Sequence, residues 1–583
     1  MPDENPLNDR AESKVERIKR DGRGLRGTIA ETLAGETQKF GGDDQQLLKF
    51  HGVYQQDDRD ARRARTGEEK SYSFMIRVVI PAGSLTAAQY LQLDALSDEY
   101  ANGTLRITTR QGIQYHGVLK GDMRPTITRI NDALMTTLAA CGDVERNVMG
   151  CPTPENGEAQ RTVNGLAREI TARLRPATAA YHEIWVDGEK VATSEPTKEA
   201  AAESADPVYG ATYLPRKFKT GIALTTDNCV DVFAQDAGLI GLVVNGRADR
   251  WVVTVGGGLG MTHGKGDTIA RLADVVGVVD TANAVESIAI IVGIFRDHGN
   301  RTDRRHARIK YLIESWGIGK FRDEFRQRAT FPVGDAPDLP PIPFHDHLDR
   351  VQQDDGRWSF GVFVLSGRVA DTATLRLKSA LQLIAKEVAP RFVFTAQQSV
   401  LLTDLDDAGL ARVEAILSAH GVAAVDSLSG ARRYSMACPA LPTCGLALAE
   451  SERAIPALLD QLDATLETLG VRDAAFTLRM TGCPNGCARP YTADLAFVGR
   501  SADLYHVYVG GRLEGDRVAD LYAADVPAGE LLSRVTPLLE RWARERTPAE
   551  GLGDFYHRAL GGGGMRRKVT GRELPTLPQL FPA

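Results

Sequence analysis

The sequence feature that most constrains this chain is a set of four cysteines within fifty residues, arranged as the pairs Cys438/Cys444 and Cys483/Cys487. The pairs read C-P-A-L-P-T-C and C-P-N-G-C, with thirty-eight residues between them. Glycine and proline in and around both pairs allow tight turns that direct neighbouring thiolates to one point. Thiolates suit zinc, copper(I) and iron–sulfur clusters. Structural zinc usually takes shorter gaps within a pair. The spacing therefore favours a cluster over zinc, and either over four inert core cysteines.

Length and composition exclude several classes of protein. A chain of 583 residues is too long for one core, so about two to four domains are expected. The net charge is −6 and no long run of Lys or Arg occurs, which argues against general nucleic-acid binding. The apolar run at 288–295 is too short to span a bilayer, and the polar N-terminus shows no secretory signal. Seven cysteines are no disulfide framework, so a reducing, cytoplasmic location is expected.

Two pairs of similar segments indicate an internal duplication. Residues 72–118 and 360–405 both predict a strand, a helix and a strand, separated by about 286 residues. WVVTVGGGLG at 251–260 resembles YHVYVGGRLEG at 505–515, and a cysteine-containing turn precedes each. A repeat of this length implies two related halves, not an array. The expected fold class is therefore α/β (α+β).

Local patterns give the elements and the domain boundaries. A helix with its apolar face on one side is expected from residue 455 to Gly470, a strand at 476–480, another helix at 124–140 and a weak one at 25–33. Residues 1 to about 48 are polar and predict a partly mobile segment. The expected domains are an N-terminal extension (1–70), a first half (71–140), a first larger domain (141–331), a Pro-rich linker (332–345), a second half (346–420) and the cysteine domain (421–583).

Short basic clusters with no evident acidic partners form a second group. Arg77 lies in the middle of an apolar strand, where a charge needs an anion to offset several kcal/mol of desolvation. In the segment RKFK, Lys217 and Lys219 lie two residues apart, so an extended chain places both on one face. Any one of these residues alone is more simply a surface charge whose stem packs down. Together with the cysteines they indicate an anionic cofactor or substrate.

Several segments resemble, in the same order, those of sulfite and nitrite reductases that carry sirohaem next to a 4Fe–4S cluster. The segments are LRGTIAE, YQQDDRD, RITTRQ, RNV, YLPRKFKT, GNRTDRRHARIKY and the two cysteine pairs, which together cover nearly the whole chain. The resemblance implies a pseudo-twofold architecture with paired ferredoxin-like halves and a cysteine-bearing iron–sulfur domain. The 141–331 and 421–583 domains would then both contact sirohaem.

The resemblance also implies roles for individual residues. Cys438, Cys444, Cys483 and Cys487 would hold the cluster, and Cys487 would bridge it to the sirohaem iron. Arg77, Arg146, Lys217 and Lys219 would line the face on which sulfite binds. The candidates for holding the sirohaem carboxylates are Arg106, Arg110, Gln114, His116, Arg301, Arg304, Arg308 and Lys310. Ala488 stands where relatives commonly have glycine. Tyr54 and Cys141 match a tyrosine–cysteine crosslink of some relatives, but free thiols at Cys141 and Cys151 are expected, with Cys229 in the core.

The activity implied is the six-electron reduction of sulfite to hydrogen sulfide in assimilatory sulfate reduction and cysteine biosynthesis. Lys219 favours sulfite over nitrite, because the family's nitrite reductases tend to have Asn there. No flavin or NADPH fingerprint is evident, since the glycine run at 255–260 is weak evidence on its own. A separate flavoprotein carrying FAD and FMN and oxidising NADPH is therefore implied, with the N-terminal extension as its docking arm. The alternatives are an assimilatory nitrite reductase and a non-catalytic four-cysteine electron-transfer or zinc-scaffold protein.

Overall fold

A computed structural model describes residues 12–64, 70–152, 154, 157–177, 183–186, 189–193, 206–562 and 565–572. Its α-helices are α1 (Lys14–Asp21), α2 (Ile29–Ala34), α3 (Gly42–Leu48), α4 (Arg59–Ala64), α5 (Ala87–Tyr100), α6 (Met123–Asp132), α7 (Gly157–Arg173), α8 (Thr281–His298), α9 (Ile309–Arg328), α10 (Leu377–Glu387), α11 (Asp407–Ala419), α12 (Gly430–Arg433), α13 (Ile455–Thr468), α14 (Leu531–Glu545) and α15 (Leu552–Leu560). Within the described ranges, none of the helices is both long enough and apolar enough to cross a membrane.

The strands lie between these helices, singly or in runs, along the described chain. They are β1 (Val53–Asp57), β2 (Tyr72–Val78), β3 (Ser84–Leu85), β4 (Leu105–Ile107), β5 (Ile113–Val118), β6 (Met149–Gly150), β7 (Glu183–Val186), β8 (Glu189–Thr193), β9 (Thr220–Leu224), β10 (Ala237–Val244), β11 (Arg247–Val255), β12 (Ile269–Arg271), β13 (Asp274–Asp280), β14 (Val351–Gln352), β15 (Trp358–Val362), β16 (Arg368–Val369), β17 (Arg391–Phe394), β18 (Val400–Leu405), β19 (Ser435–Ala437), β20 (Leu478–Thr481), β21 (Leu495–Ser501), β22 (Leu504–Val509), β23 (Asp520–Pro527) and β24 (Lys568–Thr570).

Two antiparallel five-stranded sheets with the same strand order form the ferredoxin-like pair. Their orders are β1-β2-β5-β4-β16 and β14-β15-β18-β17-β3. Each sheet ends on a short strand supplied by the other half: Arg368 pairs with Arg106, and Leu85 pairs with Phe392. The two halves also share one apolar core, in which the rings of Tyr90 and Phe392 stack at 4.3 Å. The exchange joins the halves into one unit.

The other two five-stranded sheets repeat one topology as well. In the first, β6, β9 and β10 run parallel, and β11 and β13 continue antiparallel. In the second, β19, β20 and β21 run parallel, and β22 and β23 continue antiparallel. The internal duplication inferred from the sequence is therefore confirmed, and it relates the β9–β10 loop to the β20–β21 loop that carries Cys483 and Cys487.

The helices follow the apolar periodicity of the sequence. Helix α13 buries Ile455, Leu459, Leu462 and Leu466 and ends at Thr468, two residues before Gly470, whose φ of 68° is a left-handed conformation that suits glycine. Helix α5 begins at a capping box, in which Thr86 and Gln89 satisfy each other's backbone N–H groups. The long connection 332–345 contains no helix or strand, consistent with its proline content.

Two local expectations from the sequence are wrong. The helix expected over 124–140 ends at Asp132, and the exposed Leu134 that follows has a φ of 59°. The described residues 12–48 are not a loose segment, because Leu25 and Leu47 are buried in the core and Lys19 is buried with its ammonium group 2.6 Å from Glu16. The many charged residues of this segment made its sequence resemble a solvated one, but some of them, such as Lys19 and Glu16, form buried ion pairs. Residues 1–11 and 65–69 of the expected extension lie outside the described residues.

The shared core of the ferredoxin-like pair predicts a large cost for truncating Leu381, which is fully buried in α10 where α10 packs on α5. Leu381→Ala should lower the free energy of unfolding by about 2–5 kcal/mol, because it removes buried methyl groups and leaves a cavity. Leu134→Ala, at a leucine that is 91% exposed, is the matched control and should change it by less than about 0.5 kcal/mol. Urea denaturation followed by circular dichroism measures both, and equal midpoints would contradict the shared core.

Candidate functional site

The four cysteines of the two pairs follow neighbouring parallel strands. Cys438 comes directly after β19 and Cys483 shortly after β20, so both pairs lie at the carboxyl edge of one sheet. The N–H of Cys438 donates to the carbonyl of Met480 at 3.3 Å, and the N–H of Gly482 donates to Cys438 Sγ at 3.3 Å. The sheet therefore brings together two cysteine pairs that are far apart in sequence.

The thiols of the four cysteines interact electrostatically. Burial, together with the nearby Cys487 and Cys483, raises the pKa of Cys438 to about 12. Burial likewise raises the pKa of Cys483 to about 12, with added contributions from Cys487 and Cys444. Burial and then Cys487 also raise the pKa of Cys444. Each thiol is thus within electrostatic reach of others, and Cys487 interacts with all three.

The arrangement suits a cluster better than a single ion. Among the described residues, these four cysteines do not form a group whose ligand atoms lie within 4.8 Å of one another, as one metal ion requires. Thiolates spread around a larger centre are the ligand set of an iron–sulfur cluster. Cys487 is exposed, whereas Cys438 and Cys483 are buried. The donor set therefore fits a 4Fe–4S cluster with one ligand facing an open side, and it argues against mononuclear zinc.

A buried ion network holds the second cysteine loop in place. Asp231 is fully buried and pairs with both Arg479 and Arg489, with Arg479 Nη1 at 3.1 Å. Arg489 also donates to the carbonyls of Thr109 and Ala396, each at 3.0 Å. Thr109 in turn donates its hydroxyl to the carbonyl of Cys487 at 3.0 Å. Contacts from residues 71–140, 141–331 and 346–420 thus help to hold the loop that carries Cys487.

Arg77, Arg146, Lys217 and Lys219 belong to one cluster of positive charges, called the positive pocket below. All four side chains are half-buried. Phe218 is fully buried between the two lysines, so the extended chain places Lys217 and Lys219 on the other face. Among the residues the structure describes, no carboxylate forms an ion pair with either lysine. The charge of Cys487 acts on Lys217, which places this cation near the cysteine.

Burial, together with crowding by like charges, makes the two lysines unusually acidic. Burial, followed by the charges of Arg216, Arg146 and Arg308, lowers the pKa of Lys217 to about 7. Burial, followed by Lys217, Arg110 and Arg308, lowers the pKa of Lys219 well below its ordinary value. A bound anion relieves such crowding and restores the protonated forms. The pocket is therefore suited to an anion and to proton delivery near neutral pH.

The two arginines of this group are oriented by neighbouring side chains. Arg77 Nη1 lies 3.0 Å from the sulfur of Cys141, and its Nε lies 3.3 Å from the amide of Gln114 when the amide oxygen is turned toward it. Arg146 hydrogen-bonds Tyr54 and donates from Nη2 to the carbonyl of Gly142 at 3.0 Å. Cys141 is a free thiol, as are all seven cysteines.

Several of the basic residues expected to hold carboxylates have acidic partners, so the expectation that they lack them is wrong. Arg106 Nε pairs with Glu452 at 3.0 Å, Arg304 with Asp143 at 2.8 Å and Arg308 with Asp236 at 2.6 Å. Arg301 pairs with Glu16 of helix α1. Lys310 is fully buried and donates to the carbonyls of Gly258, Gly260 and Ile269, so it holds the glycine loop that follows β11.

Two other residues expected to hold carboxylates, Arg110 and His116, have buried nitrogen atoms without a hydrogen-bond partner among the described residues. Arg110 donates to the side chain of Gln235 at 2.8 Å, and its Nε is buried with no partner among the described residues. His116 has its Nδ1 3.3 Å from Gln56, and its buried Nε2 likewise has no partner there. Buried polar atoms without partners are costly, and a ligand that supplies oxygen atoms removes that cost. The site therefore fits a macrocycle that carries several carboxylates.

Two further cations of the pocket were not among the residues assigned from the sequence. Burial and the charges of Arg304, Arg216 and Arg146 lower the pKa of Lys49 to about 8, which places this lysine in the same positive field. Burial and Arg304 lower the pKa of Arg216 to about 10. The motif RKFK already contained Arg216, but Lys49 follows helix α3 in a segment with no motif. Only the folded chain brings it to the site.

Comparison with known proteins agrees with this site. A family model described as "Nitrite and sulphite reductase 4Fe-4S domain" matches residues 166–333, and one described as "Nitrite/Sulfite reductase ferredoxin-like half domain" matches residues 66–133 and 350–420. The chain is 45% identical over 555 residues to the sulfite reductase (NADPH) hemoprotein beta-component of Myxococcus xanthus (strain DK1622), covering 94% of this chain and 96% of that protein.

Other matches extend over similar lengths. The protein of the same description from Geobacillus thermodenitrificans (strain NG80-2) is 44% identical over 564 residues, which is 96% of each chain. The structure of the Mycobacterium tuberculosis NirA protein superposes with a TM-score of 0.74 and 26% sequence identity, covering 95% of this chain and 98% of that chain. Both the ferredoxin-like pair and the duplicated sheets fall within these matches. The chain therefore belongs to the sirohaem-dependent nitrite and sulfite reductase family.

Proposed function

We propose that this chain reduces sulfite to hydrogen sulfide in a six-electron reaction, using sirohaem and a 4Fe–4S cluster. The observation that supports the proposal most strongly is the position of Cys487. This exposed cysteine interacts electrostatically both with the other three thiols and with Lys217 of the positive pocket. An electron-storing centre next to an anion pocket is the arrangement that reduction of an oxyanion requires.

In this proposal each group of residues holds one component. Cys438, Cys444, Cys483 and Cys487 would hold the cluster, and Cys487 would also help to hold the sirohaem. Arg110 and His116, whose buried nitrogens need partners, bind sirohaem carboxylates directly. The remaining candidates would form part of the wall of the sirohaem site; they are Arg106, Gln114, Arg301, Arg304, Arg308 and Lys310. When bound, the two cofactors supply single electrons and an iron atom that binds sulfite.

The chain's own contribution is charge and protons. Arg77 and Arg146 are permanently charged and held by Cys141 and Tyr54, so they bind the oxygen atoms of the anion without reorganising. Lys217 and Lys219 lose charge readily, so they can pass protons to oxygen atoms that leave as water. Burial of these groups strengthens each interaction relative to water.

The electron donor is proposed to be a separate flavoprotein that carries FAD and FMN and oxidises NADPH. The support is the description of relatives as hemoprotein beta-components of an NADPH sulfite reductase. The N-terminal extension is the proposed docking region. Its described helices α1 and α3 pack on the body of the protein through Leu47 and Lys19, and present an exposed charged surface. A cytoplasmic location accords with this partner.

Nitrite is the competing substrate, since the family model names both anions. Lys219 supports sulfite, because a second cation suits a dianion better than a monoanion. The deciding experiment is steady-state kinetics of the cofactor-loaded protein with an electrochemically reduced viologen as donor. A kcat/KM for sulfite above that for nitrite is expected. A preference for nitrite would reassign the physiological substrate, and no turnover with either would remove the reductase proposal.

The lowered pKa of Lys217 predicts a pH dependence. Lys217 is protonated below pH about 7 and neutral above it, so kcat/KM for an anion should fall as pH rises through about 7 in the free enzyme. Nitrite is the proper probe, because it remains a monoanion throughout this range while sulfite changes charge. Lys217→Met should lower kcat/KM by about 100-fold and remove this limb of the profile.

Two variants control for this prediction. Lys217→Arg keeps the charge at all accessible pH values and should shift the falling limb upward. Lys386→Met removes an exposed lysine of α10, far from the pocket in the fold, and should leave the profile unchanged. A profile in Lys217→Met that still falls through pH about 7 would assign the titration to another group.

Cys487 predicts a second outcome, because a serine hydroxyl is a poor ligand for soft iron. Cys487→Ser should abolish sulfite turnover while the chain still folds, since the side chain is exposed and its backbone is held by Thr109. Turnover, the Soret absorbance and the iron-to-sulfide ratio are measured on the same sample. Full turnover in this variant would show that Cys487 does not link the two centres.

A further inference from the structure

A second group of metal-ligating side chains lies away from the four cluster cysteines. Cys151, Asp227, Cys229 and His347 are all buried, and their ligand atoms lie within 4.8 Å of one another. Cys151 Sγ lies 3.0 Å from Cys229 Sγ and 2.7 Å from Asp227 Oδ2. His347 Nε2 lies 2.7 Å from the same carboxylate oxygen and 3.8 Å from Cys151 Sγ. Four ligands of the types that zinc binds therefore converge on one point.

The distances are close to those around a tetrahedral zinc ion. Zinc–sulfur bonds of about 2.3 Å and zinc–nitrogen bonds of about 2.0 Å place neighbouring ligand atoms about 3.3–3.8 Å apart. The Cys151–His347 separation already has that value, and the sulfur–sulfur and sulfur–oxygen separations need to open by less than about 1 Å. Two cysteines, one histidine and one carboxylate fill all four positions, which is typical of a structural site.

The duplication places two members of this group, Cys151 and Cys229, at positions in the first sheet that are equivalent to those of Cys438 and Cys483 in the second. Cys151 follows β6 directly, as Cys438 follows its counterpart strand β19. Cys229 lies in the β9–β10 loop, the counterpart of the β20–β21 loop that carries Cys483. The two halves therefore present cysteines at matching edges of matching sheets. The sequence alone assigned Cys229 to the core and Cys151 to a free thiol, because Asp227 and His347 lie far from one or both of them in the chain.

Two explanations without a metal compete. In one, protonated His347 pairs with Asp227 and the thiols are neutral; burial, as the largest effect, raises the pKa of Cys229 to about 12. In the other, Cys151 and Cys229 form a disulfide, although the structure has both as free thiols. An ion pair alone does not account for the two thiols that also approach Asp227, whereas one metal ion accounts for all four side chains.

We propose that Cys151, Asp227, Cys229 and His347 bind one structural Zn²⁺ ion, separate from the iron centres. The ion joins the first larger domain (141–331), which contains Cys151, Asp227 and Cys229, to the second half of the chain, because His347 lies just beyond the linker 332–345. The linker is already held there by Asn228, whose N–H donates to the carbonyl of Pro343 at 2.8 Å. The site thus fixes how the two halves meet at the shared pocket.

The direct test is metal analysis of the purified holoenzyme, grown in zinc-sufficient medium. About one zinc per chain is expected, in addition to iron, and zinc-edge X-ray absorption should show two sulfur and two nitrogen or oxygen neighbours. Zinc below about one tenth per chain, both as isolated and after incubation with Zn²⁺, would overturn the proposal. A Cys151–Cys229 disulfide in the alkylated, unreduced protein would overturn it too.

Matched variants assign the ligands. His347→Gln should lower the zinc content at least about tenfold while iron content and the Soret band are retained. His420→Gln is the control: this histidine follows α11, its Nδ1 lies 2.7 Å from the carbonyl oxygen of Ile416, and it is not one of the four. Loss of zinc in both variants, or in neither, would contradict the assignment. Wild-type metal content decides the question if His347→Gln fails to fold.

Discussion

The position of Cys487 depends on one buried carboxylate, Asp231. It adopts a left-handed φ of 49° and neutralises Arg479 and Arg489, both of which are buried. Removing one partner of such a network leaves an unpaired buried charge, which costs about 3–5 kcal/mol. Through Arg489 the same network reaches Thr109 of the first ferredoxin-like half. Cys487, the edge of its sheet and the first ferredoxin-like half are therefore connected by a single network of ion pairs and hydrogen bonds.

The duplication explains why one fold provides both a cluster site and an anion pocket. Each copy of the five-stranded sheet presents loops at its parallel edge, and the two copies have diverged there. The second copy carries the four thiols that interact with one another, whereas the first carries Lys217 and Lys219 just before β9. The ferredoxin-like pair adds Arg77 from β2. Chemistry that needs electrons and positive charge at one place is thus divided between two related halves.

The sequence predicted the parts of this structure that rest on local patterns. Strand β2, helix α13, the duplication and the cysteine pairs all follow from periodicity, turn residues and spacing. Prediction from the sequence failed where contacts between distant parts of the chain determine a residue's surroundings. The pairing of Arg106 with Glu452 joins residues 346 positions apart, and Lys49 enters the positive pocket without any motif. The group of Cys151, Asp227, Cys229 and His347 could not be recognised either, because its members lie in three separate segments and form no motif with a characteristic spacing.

The central claim is that one sulfur ligand links an iron–sulfur cluster to a sirohaem beside a pocket of fixed cations. The most direct measurement is a visible spectrum of the purified protein combined with iron and acid-labile sulfide analysis. The account predicts Soret and red absorbance with about five iron atoms and four sulfides per chain, one iron being that of the macrocycle. A colourless protein without labile sulfide would contradict it.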